Sequence, residues 1–470
     1  MNFEEDFNFP AHILTLTSST DLELSRFISK CIAHLKQHGD SVDLKMFTHS
    51  MNNFPPPMNS HYRVAVVAKT VPEMVQKLEK GAYLKGKVVQ PEVKPKICFL
   101  FPGYGTCPYK QGHELYTSLK VFEDMMVQAE DSVRREIPEI SILDALYGED
   151  RALLNNPVHA LIPQLFLSYG IFKVWESFGI HPDYVLGHSM GDYVAAAAAN
   201  INHMMTDVVQ ICWWFSQNVD QIKDGEMAVV LQEEDMIHGL LEEEEGAEWL
   251  DFSSHNTKYQ HVVGGTFKAM QGFKETCKSL KIPCFEMTLK KPFHTRGVQP
   301  VIKALAETVT KFKYGAPTTK FVSSYTGNIE DSLNAATWTN HFRQPVNFKK
   351  ASETVVSEGV NVFVEMGADT PLGSMMKENM ETNADFKKKI EAGQYHWLPS
   401  ITGAATEFET LLNTFAQLFV LGCPVKWTGL YGSFNVKHFD TTWLHDDNRK
   451  DLIEEFLVDL EKAGKPCIFR

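Results

Sequence analysis

The segment at residues 184–199 constrains this chain more than any other, and it reads YVLGHSMGDYVAAAAA. A short apolar run meets the pattern Gly-x-Ser-x-Gly around Ser189, and an alanine-rich helical stretch follows. A strand–turn–helix of this kind presents a serine on a tight turn that flanking glycines permit. The N–H groups at the start of the helix favour negative charge developing there. We therefore predict that Ser189 is a nucleophile, the alternative being a tight structural turn.

The chain has 470 residues, too many for one compact core, and its patterns predict three parts. Residues 1–93 alternate strand and helix patterns and are expected to form an N-terminal α/β linker domain. Residues 94–405 are expected to form the main α/β domain. Within it, residues 226–289 follow a β-α-β-β-α-β order that is typical of a ferredoxin-like insert. Residues 406–470 are expected to be a C-terminal linker and tail.

Charge and cysteine usage exclude several classes of protein. The net charge is -14 and the basic residues are not clustered, so a nucleic-acid partner is not expected. The sequence has no run of about 18 apolar residues, so no membrane span is predicted. The acidic N-terminus lacks the apolar stretch of a secretory signal. Eight cysteines without Cys-x-x-Cys spacing indicate a reducing, cytoplasmic setting and no structural zinc.

Two further stretches carry chemical information. The apolar run at 96–101 ends in a glycine-rich turn around Tyr104, whose backbone N–H groups could face an oxyanion. Residues 206–222 are predicted to be a helix that is capped by Thr206 and has one apolar stripe. Trp214 lies in the middle of the opposite, polar face. It is therefore expected to be either an exposed surface residue or the wall of a pocket.

Seven segments in order resemble the acyltransferase family that loads acyl carrier proteins. This family includes the malonyl transacylase of bacterial fatty acid synthesis and the acyltransferase domains of polyketide and animal fatty acid synthases. The matching segments are FLFPGYG (99–105), PQLFLSYGIFKVWESFGIHPDYVLGHSMGDYVAA (163–196), HNTKYQHVVGG (255–265), KKPFHT (290–295), SSYTG (323–327), WTNHFRQPVNF (338–348) and FVEMGADTPL (363–372). The flanking parts, 11–90 and 406–450, look like the linkers on either side of such a domain.

The resemblance implies an α/β-hydrolase-like core with a ferredoxin-like small subdomain, preceded by an α/β linker domain. It also implies that Ser189 is the nucleophile and His294 the general base, a pairing that suits acyl-serine chemistry. The implied oxyanion hole consists of the backbone N–H groups of Met190 and Tyr104, and the carbonyl of Asn347 is expected to orient the base. Further residues are implied at the substrate: Gln164, His188, Trp214, Asn256 and Phe293.

The chain departs from this family at one position that governs substrate choice. Members that use malonyl groups hold the free carboxylate with an arginine on the helix after the serine. Counted from Ser189, that position is Trp214, and no arginine occurs anywhere in 152–295. Burying a carboxylate without a bidentate partner is costly. The resemblance therefore implies a monocarboxylic acyl group, as in starter-unit acyltransferases.

The sequence thus predicts an enzyme that moves an acyl group from acyl-CoA, through Ser189, to the phosphopantetheine thiol of an acyl carrier protein. No bound cofactor or metal is expected. Other polyketide synthase domains are expected as further partners, and Lys290, Lys291 and Arg296 are expected to form a basic rim for the carrier. Three alternatives remain: an acyl hydrolase of the same fold, a malonyl transferase with an atypical carboxylate clamp, and a non-catalytic docking module.

Overall fold

A computed structural model describes residues 9–53, 60–88, 94–105, 109–244, 246–368, 371–403 and 406–431. The first part of the chain folds into a small antiparallel sheet in the order β1-β2-β3, packed against helices. Helix α1 begins where the Thr20 side chain accepts a hydrogen bond from the Glu23 N–H, as an N-cap residue does. The elements are β1 (His12–Ser18), α1 (Asp21–His38), α2 (Leu44–Asn52), β2 (Tyr62–Ala68), α3 (Val71–Glu79) and β3 (Leu84–Lys87).

The main domain is built on a six-stranded sheet with helices on its two faces. Five strands are parallel, which matches their buried, apolar sequences. The spatial order of the sheet is β11-β10-β5-β4-β12-β13, and only the edge strand β11 is antiparallel to its neighbour. The strands are β4 (Ile97–Phe101), β5 (Tyr184–Gly187), β10 (Lys320–Val322), β11 (Ile329–Glu330), β12 (Val362–Ala368) and β13 (His396–Ile401).

Helices connect most of the strands of this sheet, although β11 follows β10 directly. Those before the small subdomain are α4 (His113–Ser118), α5 (Lys120–Glu136), α6 (Ile142–Tyr147), α7 (Pro157–Ser177), α8 (Gly191–Ala198) and α9 (Val209–Asn218). Those after it are α12 (Ile302–Val309), α13 (Ala335–Arg343), α14 (Phe348–Ser357), α15 (Pro371–Glu381), α16 (Ala384–Glu391), α17 (Glu407–Val420) and α18 (Trp427–Tyr431). Among the described residues, no helix combines the length and apolar character needed to cross a bilayer.

The small subdomain has the predicted β-α-β-β-α-β order. Its four strands form an antiparallel sheet in the order β7-β8-β6-β9, which is the ferredoxin-like arrangement. The predicted α/β fold with a ferredoxin-like subdomain is thereby confirmed. The elements are β6 (Glu226–Leu231), α10 (Glu234–Glu243), β7 (Leu250–His255), β8 (Gln260–Gly265), α11 (Phe267–Ser279) and β9 (Cys284–Glu286).

The three predicted parts of the chain share a core. The largest buried cluster joins Ile13 of β1, Phe99 of β4 and Phe415 of α17. The boundaries at residues 93 and 405 therefore stay a prediction. The helix expected near 450–463 lies outside the described residues.

Candidate active site

Ser189 lies on the turn between β5 and α8, where the backbone is held in an uncommon conformation. Its φ angle is 54°, in the left-handed region that few residues other than glycine adopt. A side chain at Gly187 would collide with the backbone of Asp192, and one at Gly191 with the carbonyl of Phe101. The turn therefore requires both glycines, as the Gly-x-Ser-x-Gly pattern predicted.

His294 faces Ser189 from a loop that precedes a short 3₁₀ helix, Arg296–Val301. Its Nε2 atom lies 2.7 Å from the Ser189 Oγ atom. His294 is itself held at a φ of 59°, so both members of this pair have left-handed backbone. Strain of this kind is found at sites where the surrounding structure fixes a functional side chain. Nothing in the sequence around His294 indicated this conformation.

Two backbone carbonyls orient the His294 ring. Its Nδ1 atom lies 3.0 Å from the carbonyl oxygen of His341 and 3.1 Å from that of Gln344. With Nδ1–H donating to these oxygens, the Nε2 lone pair faces the serine hydroxyl, as a general base requires. The prediction that the Asn347 carbonyl has this role is wrong, because the acceptors lie three and six residues earlier, at the end of α13. The Asn347 side-chain amide instead donates to the carbonyl of Tyr325.

The His294 ring is kept neutral by its surroundings. Burial, together with smaller contributions from the nearby His341 and His188, lowers the pKa of His294 from its ordinary value to about 3. The two backbone carbonyls oppose this effect only in part. A neutral imidazole whose Nε2 faces a serine hydroxyl can accept the serine proton at any physiological pH.

A buried carboxylate lies behind this pair of residues. Asp192 is fully buried in the first turn of α8 and accepts hydrogen bonds from the N–H of Gly187 and from the N–H and hydroxyl of Ser324. The His341 Nε2 atom lies 3.4 Å from the same carboxylate. These contacts connect the serine turn, the end of β10 and α13, the helix whose C-terminal carbonyls orient the His294 ring. The roles of Ser324 and His341 were not predicted.

Two backbone N–H groups adjoin Ser189. Met190 is the N-cap residue of α8. The turn after β4 packs against Ser189, since a Cβ at Gly103 would lie 3.4 Å from the serine Cβ. Among the described residues, the structure records no acceptor for the N–H of Met190 or of Tyr104. Both groups belong to segments that flank Ser189, so their role as an oxyanion hole stays a prediction.

Three predicted substrate residues lie close to the serine turn. The His188 Nε2 atom lies 2.8 Å from the Asn256 side-chain oxygen, a contact that ties the turn to the end of β7. Phe293 precedes His294, and the centroid of its ring lies 5.8 Å from that of Phe342. Their contacts with a substrate stay predictions.

Gln164 is fully buried on α7. Its amide nitrogen donates to Ser168, whereas its oxygen has no partner among the described residues. Its contact with a substrate also stays a prediction.

Trp214 is buried, so the alternative of an exposed surface residue is wrong, whereas its role as the wall of a pocket stays a prediction. Its side chain is 1% exposed, whereas Trp213 is 37% exposed. Helix α9 contacts α5, α7 and α12, and is therefore enclosed on more than the one face that periodicity indicated. It is also preceded by a π-helical turn, Met204–Val208, instead of beginning at a Thr206 cap.

The Trp214 indole belongs to a row of rings that leads to His294. It packs edge-on against Phe342 at 5.0 Å between ring centroids, and Phe342 lies 6.4 Å from the His294 ring. The indole N–H has no acceptor among the described residues. Trp214, which occupies the position of the expected arginine, is therefore separated from the His294 ring by the ring of Phe342.

The basic rim expected around His294 is already neutralised within the chain. Lys290 pairs with Glu286, Lys291 lies 2.8 Å from Asp224, and Arg296 lies 2.7 Å from Asp251. The role of these three residues as a basic rim for a carrier protein stays a prediction, and each of them has an acidic partner within the chain. Glu286 lies four residues before Lys290, whereas Asp224 and Asp251 are distant in sequence from Lys291 and Arg296.

Known proteins resemble this chain in sequence and in fold. A family model described as "Acyl transferase domain" matches residues 98–420. A non-reducing polyketide synthase, terA, of Aspergillus terreus is 20% identical over 91% of this chain and 20% of its own length. A Bacillus subtilis polyketide biosynthesis acyltransferase homolog, PksD, is 25% identical over 60% of this chain and 87% of its own length. Apart from PksD, the curated relatives that rank first are much longer proteins, and the chain spans about a fifth or less of their length.

A solved structure shares the fold. The acyl transferase domain of ZmaA superposes with a TM-score of 0.78 at 19% sequence identity. The superposition covers 92% of this chain and 99% of that one.

Proposed function

Because the chain belongs to the acyl transferase domain family, we propose that it moves an acyl group from acyl-CoA to the phosphopantetheine thiol of a carrier protein. The observation that carries this proposal is the 2.7 Å contact between Ser189 Oγ and His294 Nε2 on a strained strand–helix turn. The reaction would proceed in the cytoplasm, where acyl-CoA is available. The carrier protein and the other domains of a polyketide synthase are the proposed partners.

The first half-reaction forms an acyl-serine. His294 Nε2 accepts the proton of the Ser189 hydroxyl as the oxygen attacks the thioester carbonyl. The tetrahedral intermediate then collapses, the carbon–sulfur bond breaks, and the imidazolium returns the proton to the departing CoA sulfur. The carbonyls of His341 and Gln344 keep Nδ1 protonated throughout, so that Nε2 alone exchanges the proton.

The second half-reaction is the reverse of the first with a different thiol. His294 accepts the proton of the phosphopantetheine thiol, whose sulfur attacks the acyl-serine carbonyl. The ester bond to Ser189 breaks, and the serine oxygen regains a proton from the imidazolium. In both steps the N–H groups of Met190 and Tyr104 would donate to the carbonyl oxygen as it becomes negative.

Substrate choice is the finer part of the proposal. We infer a monocarboxylic acyl group, because the position expected to hold an arginine carries the buried Trp214. An apolar indole offers no bidentate partner to a malonyl carboxylate, which would lose its hydration without compensation. The row from Trp214 through Phe342 to His294 supports this inference, since it lies beside the proposed reacting atoms.

A panel of acyl-CoA donors tests this inference. The wild-type chain should acquire acetyl or propionyl groups, measured by intact mass, faster than malonyl groups. Trp214→Arg should raise the malonyl-to-acetyl rate ratio by an amount equivalent to about 1–3 kcal/mol in activation free energy, the scale of a charge-assisted hydrogen bond. Burial of the new guanidinium will cost stability, so both rates are taken well below the melting temperature of the variant.

The neighbouring residue supplies the matched control. Trp213→Arg places the same charge on an exposed position of the same helix and should leave the ratio unchanged. Malonyl loading by the wild type at or above the acetyl rate would contradict the monocarboxylic preference. It would leave the acyl-serine route itself intact.

A further inference from the structure

A cluster of side chains of the types that bind metal ions lies in the small subdomain and does not include Ser189 or His294. Glu234 belongs to the first turn of α10, His255 is the last residue of β7, and His261 lies on β8. The two histidines are partners in the β7–β8 register, on adjacent antiparallel strands. One ligand atom from each of the three side chains lies within 4.8 Å of the others.

The separations within this cluster are those of ligands that share one ion. The Nδ1 atoms of His255 and His261 are 3.2 Å apart, and the Glu234 carboxylate lies 3.5 Å from the His255 Nδ1. Zinc–nitrogen bonds of about 2.0–2.1 Å in a tetrahedron place two nitrogens about 3.3 Å apart. The alternative is a hydrogen bond between the two rings, in which one Nδ1 carries a proton.

The surroundings favour the metal-binding form of the imidazoles. The His261 Nε2 atom lies 3.4 Å from the Lys258 carbonyl oxygen, so donation there leaves Nδ1 free to coordinate. The Glu234 carboxylate supplies a negative charge beside the two rings.

We propose that Glu234, His255 and His261 form a binding site for a divalent transition-metal ion of the Zn²⁺ type. Three protein ligands leave a fourth position for solvent. The ion would fasten the start of α10 to the β7–β8 edge. His255 immediately precedes Asn256, which contacts His188, and the His255 N–H donates to the carbonyl of Val346. The site uses no cysteine, so cysteine spacing could not indicate it.

Cobalt and zinc titrations of the chelator-treated protein test the proposal. Co²⁺ should bind with one-to-one stoichiometry and give visible d–d absorption without a thiolate charge-transfer band, and Zn²⁺ should displace it and raise the melting temperature. Glu234→Gln, at an exposed position, should weaken binding at least about tenfold, and His261→Gln more. His181→Gln, at an exposed histidine outside the cluster, should bind like the wild type.

Three results would overturn the metal site. They are the absence of saturable binding to the wild type, unchanged affinity in Glu234→Gln and His261→Gln, and a thiolate band that assigns the ion to cysteines. Because Ser189→Ala leaves these ligands untouched, it should bind Co²⁺ like the wild type. The metal-binding proposal can therefore fail without affecting the proposed acyl transfer, and the reverse also holds.

Discussion

Replacing Ser189 with alanine is expected to abolish covalent acylation of the chain. The substitution removes the only atom proposed to form the ester bond, and His294 Nε2 then has no proton to accept. After incubation with acetyl-CoA, the wild-type chain should gain the mass of one acetyl group and Ser189→Ala should gain none. Digestion and peptide mapping should place the adduct on the turn between β5 and α8.

The serine experiment has a control in the same protein. Ser279→Ala removes an exposed hydroxyl at the end of α11 and should acylate like the wild type. Unchanged melting temperatures would show that both variants keep the fold. Stoichiometric acylation of Ser189→Ala by the same donor would disprove the assignment of the nucleophile.

Replacing His294 with alanine is expected to slow acylation by about 10²–10⁴-fold, the usual contribution of a positioned base. The Ser189 hydroxyl would remain on its strained turn but would have no acceptor at 2.7 Å. The rate is measured by rapid quenching and intact mass. His181→Ala, which removes an exposed ring, should acylate at the wild-type rate. An acylation rate near the wild-type value in His294→Ala would make His294 a structural residue.

The pH dependence of acylation is an independent test of the same residue. Because burial lowers the pKa of His294 to about 3, its neutral form is present at every pH above that value. The second-order rate constant for acylation should therefore show no titration of this base between about pH 5 and 8. It should fall only as the pH decreases towards 3. A midpoint near the ordinary histidine value of 6.5 would show that the base is solvated.

Local patterns were sufficient for most of the fold. The apolar run before Ser189 and the alanine stretch after it identified β5 and α8, because a buried parallel strand and a close-packed helix each leave a compositional trace. The β-α-β-β-α-β order of the small subdomain was read from alternating strand and helix patterns. Helix α9 was misjudged, because neither its π-helical start nor its contacts with α5, α7 and α12 leave a periodic signal.

The site was predictable only where a side chain carries the chemistry. Ser189 was indicated by its own glycines, whereas His294 needed the family resemblance to stand out among 18 histidines. The carbonyls of His341 and Gln344 escaped prediction, since any residue supplies a carbonyl and only the end of α13 decides which ones face the ring. The Glu234, His255 and His261 cluster depends on strand register, which the sequence alone does not fix.

A two-step chase tests the central proposal most directly. The chain is first loaded from acetyl-CoA, freed of excess donor, and then mixed with a phosphopantetheinylated carrier protein or, in parallel, with pantetheine. Intact masses should show the acetyl group leaving Ser189 and appearing on the acceptor thiol. Loss of the acetyl group from the chain as free acetate, with no gain of mass by either acceptor, would instead identify an acyl hydrolase and contradict acyl transfer.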